Sequence, residues 1–113
     1  MIDYTIIILG GIEWTIPIKD IIFIERIKNK KWIRIVLYDI EHAQIKGMEF
    51  FGVTLKGVLE QIDNKKELIM CHKSFIVNPK KIKGIDTPNK LIILKHTDEI
   101  IPFSNTYKNN LKV

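Results

Sequence analysis

The residues that most constrain this chain are β-branched, and they recur in short segments separated by turn residues. Isoleucine is very frequent, and a β-branched side chain fits the pleated, half-buried surface of a sheet better than a helix. The clearest alternation runs over residues 32–38. It predicts that one face of the strand points inward (Ile33, Ile35 and Leu37) and the other outward (Trp32, Arg34, Val36 and Tyr38). The pattern favours a protein built mainly from short strands.

Further strands are predicted from apolar runs between turn residues. Gly10-Gly11 is typical of a hairpin turn, and Pro17 indicates a sheet edge or a strand end because proline cannot donate to the ladder. Residues 21–27 have mixed faces, which indicates a strand partly covered on both sides. The predicted strands cover residues 4–9, 13–18, 21–27, 32–38, 42–48, 68–70, 74–77, 82–86, 91–95 and 99–102.

One segment has helical rather than strand periodicity. Leu55, Val58, Leu59 and Ile62 lie at i, i+3, i+4 and i+7, which predicts a short helix over residues 54–62. Thr54 is suited to cap it, and Ser104 is suited to start a second helical turn. No repeat, linker or low-complexity tract divides the chain. We therefore expect a single domain over residues 1–113, mainly antiparallel β with one short helix.

Length and composition exclude several classes of protein. The chain has 113 residues, 46% of them hydrophobic and 27% charged, which is enough for one modest core and argues against disorder. Its longest apolar run, residues 6–9, is far shorter than the roughly 20 residues of a membrane-spanning helix. No signal peptide is visible. A single cysteine rules out an internal disulfide, so we expect a cytoplasmic location.

Enzymatic motifs are missing from the sequence. It contains no nucleophile elbow, no phosphate-binding glycine loop and no His-Glu-x-x-His zinc motif. Cys71 and His72 are adjacent, but neighbouring strand residues point to opposite faces, so we interpret Cys71 as a buried hydrophobe and His72 as structural. His42 and His96 have no metal-ligand partner at the usual spacing. The sequence predicts a protein that is not an enzyme and needs no cofactor or metal.

Positive charge is the feature with most bearing on a partner. The chain has 18 Lys+Arg against 13 Asp+Glu, a net charge of +5, which favours a polyanion such as nucleic acid. Arg26 and Arg34 are the only arginines, so the charge lies mostly on lysine, which suits phosphate. Basic residues cluster at 28–31, at Lys73, at 79–83 and near the C-terminus. Any single cluster is more typical of a solvated face, so a function requires that several converge.

Five segments, in order along the chain, resemble the LytTR DNA-binding domain family. Residues 21–25 (Ile-Ile-Phe-Ile-Glu) are similar to a family strand, and residues 54–56 (Thr-Leu-Lys) are similar to the start of its short helix. Residues 71–78 (Cys-His-Lys-Ser-Phe-Ile-Val-Asn) are the most specific. Residues 82–85 and then residues 101–104 (Ile-Pro-Phe-Ser) fall in the order that the family expects. The resemblance implies an elongated fold of about ten mostly antiparallel strands in small packed sheets, with one short α-helix.

The resemblance also implies sequence-specific regulation of bacterial transcription. Loops would contact successive major grooves of double-stranded DNA at promoter direct repeats. The family's base-contacting positions align with Lys31, Lys73 and Asn105, the last a departure because a basic residue is commoner there. The further DNA-contacting candidates, mainly for phosphate, are Lys28, Lys30 and Lys108. Asn105 alternatively bonds local backbone, and His72, Ser74 and Asn78 are interpreted as packing and turn-fixing residues.

The family architecture implies partners besides DNA. Such a domain usually follows a receiver domain, so the chain is either a fragment of a response regulator or a stand-alone regulator controlled by a sensor kinase or a membrane regulator. A dimer on DNA is also expected. Two alternatives stay open: a protein-interaction or antagonist module with weak DNA binding, and, less favoured, an RNA-binding module that uses Trp32 and Tyr38.

Overall fold

A computed structural model describes residues 5–62 and 67–111 of the chain. Within these residues the chain forms ten strands, one α-helix and three short 3₁₀ helices. The strands are β1 (Thr5–Leu9), β2 (Ile12–Ile16), β3 (Ile21–Arg26), β4 (Trp32–Asp39), β5 (Gln44–Phe51), β6 (Ile69–His72), β7 (Phe75–Val77), β8 (Ile82–Asp86), β9 (Leu91–Leu94) and β10 (Ile100–Pro102). The helix α1 is Leu55–Glu60, and the 3₁₀ helices are Ile18–Asp20, Pro79–Lys81 and Asn105–Leu111.

The described strands form three small sheets in which every pairing is antiparallel. A hairpin pairs β1 with β2, a central sheet has the order β5-β4-β3-β7-β6, and a third sheet has the order β10-β9-β8. The principal extents are 40, 32 and 25 Å. The predicted fold class, mainly antiparallel β in small sheets with one short helix, is confirmed.

Strand β3 is buried on both faces and divides two hydrophobic cores. Ile21 and Ile24 pack in the first core, with the hairpin and α1, whereas Ile22 and Phe23 pack in the second, with the third sheet. The pairing with β4 shifts register between Ile21 and Phe23. This irregularity explains why the two faces of β3 do not alternate strictly. The prediction of a strand covered on both sides is confirmed.

The prediction that Val36 points outward is wrong. Ile33, Ile35 and Leu37 of β4 do enter the first core, but Val36 is only 1% exposed and packs in the second. The third sheet covers this side of the central sheet, so an outward position on β4 becomes an interior one. Alternation identifies two faces but does not tell whether a second layer covers the polar one.

Two predicted strand boundaries are also corrected. The strand predicted over residues 13–18 ends at Ile16, because Pro17 precedes the 3₁₀ helix Ile18–Asp20. The strand predicted over residues 42–48 is β5 instead, which begins at Gln44 and pairs along its whole length with β4. Its start is delayed because the backbone N–H of His42 donates to Asp39 Oδ1 at 3.3 Å and thus extends the turn.

The hairpin turn has the geometry that the glycine pair predicts. Gly10 and Gly11 have φ values of +61° and +82°, the left-handed conformation that favours glycine in two-residue hairpin loops. At Gly10 space is limiting as well, since a Cβ atom there would lie 2.5 Å from the carbonyl oxygen of Phe51. The hairpin tip therefore contacts the end of β5.

The capped helix α1 and the hairpin are joined by side-chain hydrogen bonds. Thr54 Oγ1 accepts from the N–H of Gly57 at 2.9 Å, as predicted for an N-cap. After the helix, Gln61 Oε1 accepts from the N–H of Ile8 at 2.7 Å, and Gln61 Nε2 donates to the Ile8 carbonyl at 3.0 Å. The amide of Gln61 thus pairs with backbone groups of β1 as a neighbouring strand would.

No helix in residues 5–62 and 67–111 is long and apolar enough to cross a membrane.

Asn78 joins the end of β7 to the start of β3, which confirms its interpretation as a turn-fixing residue. The side chain is 4% exposed. Its Nδ2 donates to the carbonyls of Ile21 at 2.8 Å and Lys19 at 3.3 Å, and its Oδ1 accepts from the N–H of Lys80 at 3.0 Å. Buried polar groups are stabilising only when their partners are present.

We predict that Asn78→Ala lowers the free energy of unfolding by about 2 kcal/mol, because it leaves the buried Ile21 carbonyl without its side-chain donor. Urea denaturation followed by circular dichroism measures the change. The matched control is Asn89→Ala in the exposed turn after β8, where Asn89 Nδ2 donates to Asp86 at 2.9 Å; we expect a change within about 0.5 kcal/mol. Equal losses for the two variants would contradict the role of Asn78.

Candidate nucleic-acid interface

Three loops and the C-terminal 3₁₀ helix meet at one end of the central sheet. The N–H of Arg26 donates to the carbonyl of Ser74 at 2.9 Å, which joins the β3–β4 loop to the β6–β7 turn. The N–H of Gly52 donates to the carbonyl of Lys31 at 2.7 Å, which joins the same loop to the β5–α1 connection. The N–H of Ser104 donates to the carbonyl of Cys71 at 3.0 Å, which brings the start of the 3₁₀ helix to β6. Segments far apart in sequence thereby form one surface.

This surface contains a groove of about 450 Å³, here called the basic groove. Its lining comprises four cationic side chains, three apolar ones and two hydroxyl-bearing ones: Arg26, Lys30, Lys56, Lys73; Leu55, Leu59, Met70; Thr54 and Tyr107. None of these residues is acidic. Several like charges around one concave surface produce a positive potential that attracts phosphate.

The predicted residues Lys30 and Lys73 both line the basic groove, so the structure brings together two clusters that are 43 positions apart in sequence. Both side chains are exposed. Two further lining cations, Arg26 and Lys56, are not among the predicted site residues. A sequence signal for them exists, since Arg26 directly precedes the 28–31 cluster and Lys56 belongs to the family-like segment 54–56.

Lys28 and Lys31 lie in the same loop but outside the groove. Lys28 Nζ lies 4.1 Å from the centroid of the Trp32 ring, a cation–π arrangement. Lys31 is exposed, and its backbone N–H donates to Asn29 Oδ1 at 3.0 Å. The loop backbone is therefore held by Asn29, and the Lys28 ammonium lies over the Trp32 ring.

Asn105 and Lys108 lie on the C-terminal 3₁₀ helix. Asn105 is its first residue and is exposed, and Lys108 is half-buried. The helix packs on β6, and Asn110 Nδ2 donates to the carbonyl of Met70 at 2.9 Å. Tyr107 of this helix lines the basic groove together with Lys73. Asn105 and Lys108 thus share the helix that carries Tyr107 but are not in the groove lining, and their roles stay predictions.

The second arginine, Arg34, is engaged by carboxylates. Its guanidinium lies 2.8 Å from Glu99 and 3.4 Å from Glu25. Partial burial raises the pKa of Glu25, Arg34 opposes that increase, and the nearby Glu99 adds to it. Arg34 therefore joins β3 and β4 to the segment before β10, and Arg26 is the arginine that lines the groove.

Cys71 and His72 are structural, as predicted. Cys71 is fully buried, and burial raises the pKa of its thiol to about 12, so the thiol stays protonated and unreactive at neutral pH. His72 Nδ1 accepts from the N–H of Ser74 at 3.1 Å and fixes the β6–β7 turn. The pKa of His72 is lowered by burial first, then by the positive charges of Lys73 and Arg26.

The two other histidines belong to local contacts. His42 lies 2.8 Å from Asp39, which also pairs with Lys46 at 2.9 Å. His96 stacks on Tyr38 with ring centroids 3.9 Å apart. In the part of the chain that the structure describes, no group of three or more His, Cys, Asp or Glu side chains is arranged to hold a metal ion.

A second concavity has the opposite electrostatic character. It is lined by Asp20, Asp39 and Glu41, with Lys46 as its cation, beside the β4–β5 turn. The β4–β5 turn and the β3–β4 loop that carries Lys30 are at opposite ends of β4. These three carboxylates and the lysine-rich loop are therefore separated along the central sheet.

Comparison with known protein families assigns this chain. The family model of the LytTr DNA-binding domain matches residues 13–113, which begin at the second residue of β2 and include all later elements. The chain belongs to the LytTR family of DNA-binding domains. The resemblance carried by the five sequence segments is confirmed.

A solved structure has the same fold as this LytTR chain. It is the LytTr DNA-binding domain of a protein described as a methyl-accepting/DNA response regulator from Bacillus cereus. The TM-score is 0.65 at 23% sequence identity, over 96% of this chain and 93% of that one. At this identity the likeness establishes the fold. No curated protein sequence matches the chain.

We predict that NMR titration gives His72 a pKa below that of an ordinary histidine and that Lys73→Gln raises it. Removing a neighbouring positive charge makes protonation of the imidazole less costly. Lys83→Gln is the matched control, because Lys83 is an exposed lysine on β8 that does not line the groove. If Lys73→Gln and Lys83→Gln change the pKa of His72 by the same amount, Lys73 does not act on His72.

Proposed function

We propose that this LytTR domain is a sequence-specific regulator of bacterial transcription that binds direct repeats in promoter DNA. Loops from the basic end of the central sheet would enter successive major grooves. The observation that carries the proposal is the convergence of Arg26, Lys30, Lys56 and Lys73 on one groove with no acidic residue in its lining. Contacts to phosphate supply most of the affinity of such proteins and place them on the duplex.

The cations and the amide at this end suit different parts of DNA. Lysine ammonium groups are point charges that contact phosphate well, so we assign Lys28, Lys30, Lys56 and Lys108 to the backbone together with the guanidinium of Arg26. We assign base contacts to Lys31, Lys73 and Asn105. Lysine suits guanine O6 and N7, and an amide suits adenine N6 and N7. The family match supports a DNA-binding function.

The same proposal extends to cellular context. We propose that residues 1–113 form one domain that acts in the cytoplasm, without catalysis and without a cofactor. Control by a receiver domain, a sensor kinase or a membrane regulator would set its activity, and two copies would occupy the two repeats of a site. Family membership supports this architecture, because the LytTr domain of similar fold is described as part of a response regulator.

We predict that affinity for promoter DNA falls steeply with salt. Each phosphate contact contributes about 0.9 to the slope of log affinity against log salt, so Lys30→Gln and Lys56→Gln should each reduce the slope by about that amount. Fluorescence anisotropy at several salt concentrations measures it. Lys83→Gln is the control and should leave the slope unchanged. A slope near zero for the unchanged chain would refute DNA binding through the basic groove.

We predict that Lys31→Ala and Asn105→Ala reduce discrimination between bases. A bidentate base contact is worth about 1–3 kcal/mol against the wrong base, whereas a phosphate contact discriminates little. The preferred site is first selected from random DNA, and affinities for that site and a scrambled one are then compared. Lys30→Ala is the control, since it should weaken both complexes equally. If Lys31→Ala and Asn105→Ala also weaken both equally, these residues touch only the backbone.

One observation favours the alternative of a protein-interaction module. The hairpin exposes apolar side chains, with Ile6 64%, Ile8 52% and Ile12 59% accessible, and Phe51 beyond its tip is 60% accessible. Exposed apolar clusters often mark protein contacts. Binding of a partner protein, together with no detectable binding of DNA at low salt, would favour this alternative.

A further inference from the structure

The basic groove has an apolar wall that a DNA phosphate does not need. Leu55 is buried, and Leu59 and Met70 are half-buried and pack against the first core. All three line the groove together with the cationic side chains. A phosphodiester group is polar and negatively charged, so it can pair with the cations. It would leave the apolar wall in contact with water.

The wall and the cations come from elements that are firmly held. Helix α1 carries Leu55, Lys56 and Leu59, and it is capped by Thr54 and joined to the hairpin through Gln61. Met70 of β6 and Tyr107 of the 3₁₀ helix also line the groove, and these two elements are joined by the hydrogen bond from Asn110 Nδ2 to the Met70 carbonyl. A ligand would therefore meet a largely preformed concave surface.

The volume fits a small molecule better than a single ion. Pockets for small ligands range from about 300 to 1,000 Å³ and combine apolar lining with a few polar groups. The basic groove, at about 450 Å³, lies in this range. Inorganic phosphate would fill a small part of it, and a neutral hydrocarbon would leave four cations without a counter-charge.

We propose that the basic groove binds a small amphipathic anion, with one phosphate or carboxylate head and a flat apolar body of one or two rings. The head lies among Arg26, Lys56 and Lys73, and the body lies on Leu59 and Met70. Bound ligand and DNA exclude each other. Ligand binding goes beyond the proposed function, and only the exclusion of DNA rests on it.

Direct binding is tested first, without DNA, on the full 113-residue chain. The probes are 1-naphthyl phosphate, inorganic phosphate and 1-naphthol, titrated by NMR with methyl and amide resonances observed. We expect 1-naphthyl phosphate to bind at least about tenfold more tightly than either partial probe, because it alone uses both the cations and the wall. Shifts should centre on the Leu59 and Met70 methyl groups. Equal affinity for 1-naphthyl phosphate and inorganic phosphate, or shifts centred elsewhere, would overturn the proposal.

Two variants separate the head from the body. Lys56→Gln should weaken 1-naphthyl phosphate several-fold, with Lys83→Gln as the matched control that leaves it unchanged. Leu59→Phe fills the apolar part of the groove, so it should weaken 1-naphthyl phosphate while leaving inorganic phosphate as it was. If Leu59→Phe does not fold, Lys56→Gln still tests the proposal, because Lys56 is exposed and its replacement should not affect folding. An unchanged affinity of Lys56→Gln for 1-naphthyl phosphate would contradict the placement of the anionic head.

Competition then tests exclusion of DNA by fluorescence anisotropy. Saturating 1-naphthyl phosphate should raise the apparent Kd for promoter DNA at constant ionic strength, whereas 1-naphthol should not. Ligand binding without any DNA binding would refute the proposed function and leave the ligand site standing. DNA binding without ligand binding would refute the ligand site alone. Simultaneous binding of DNA and 1-naphthyl phosphate would refute the mutual exclusion.

Discussion

The whole structure depends on a single strand that is buried on both faces. Ile21 and Ile24 of β3 enter one core, and Ile22 and Phe23 enter the other. Removing β3 from the sheet would therefore expose both hydrophobic cores to water. The strand also determines where its ends lie. Asn78 bonds to the carbonyl at its start, and Arg26 at its end bonds to Ser74 of the neighbouring turn. The basic loop that follows is therefore positioned by the best-buried element of the chain.

Electrostatics divides the molecule along the same sheet. The carboxylates Asp20, Asp39 and Glu41 surround one concavity, and four cations line the groove at the other end. The two arginines differ in environment rather than in chemistry: Arg34 is bound by Glu25 and Glu99, whereas Arg26 lines the groove. The net charge of +5 is thus distributed unevenly. This matters because attraction for a polyanion depends on where charges converge and not only on their sum.

Local patterns predicted those parts of the fold that depend on neighbouring residues. Alternation located β4, the i, i+3, i+4 spacing located α1, and the glycine pair located the hairpin turn. Predictions failed where another layer of structure intervenes. Val36 is apolar on a face that is polar at Arg34, and only the third sheet makes that position interior. The start of β5 at Gln44 depends on a turn that Asp39 stabilises through His42.

The amino-acid sequence by itself determined the β class, the family and the two clusters that hold Lys30 and Lys73, because periodicity, turn residues and motifs are local in the chain. It did not determine that these lysines share a groove, nor that Arg26 and Lys56 complete it with Leu59 and Met70 as an apolar wall. That arrangement arises from bonds between distant segments, such as those from Gly52 to Lys31 and from Arg26 to Ser74. Tertiary structure decided it because convergence in space depends on packing, which spacing along the chain does not encode.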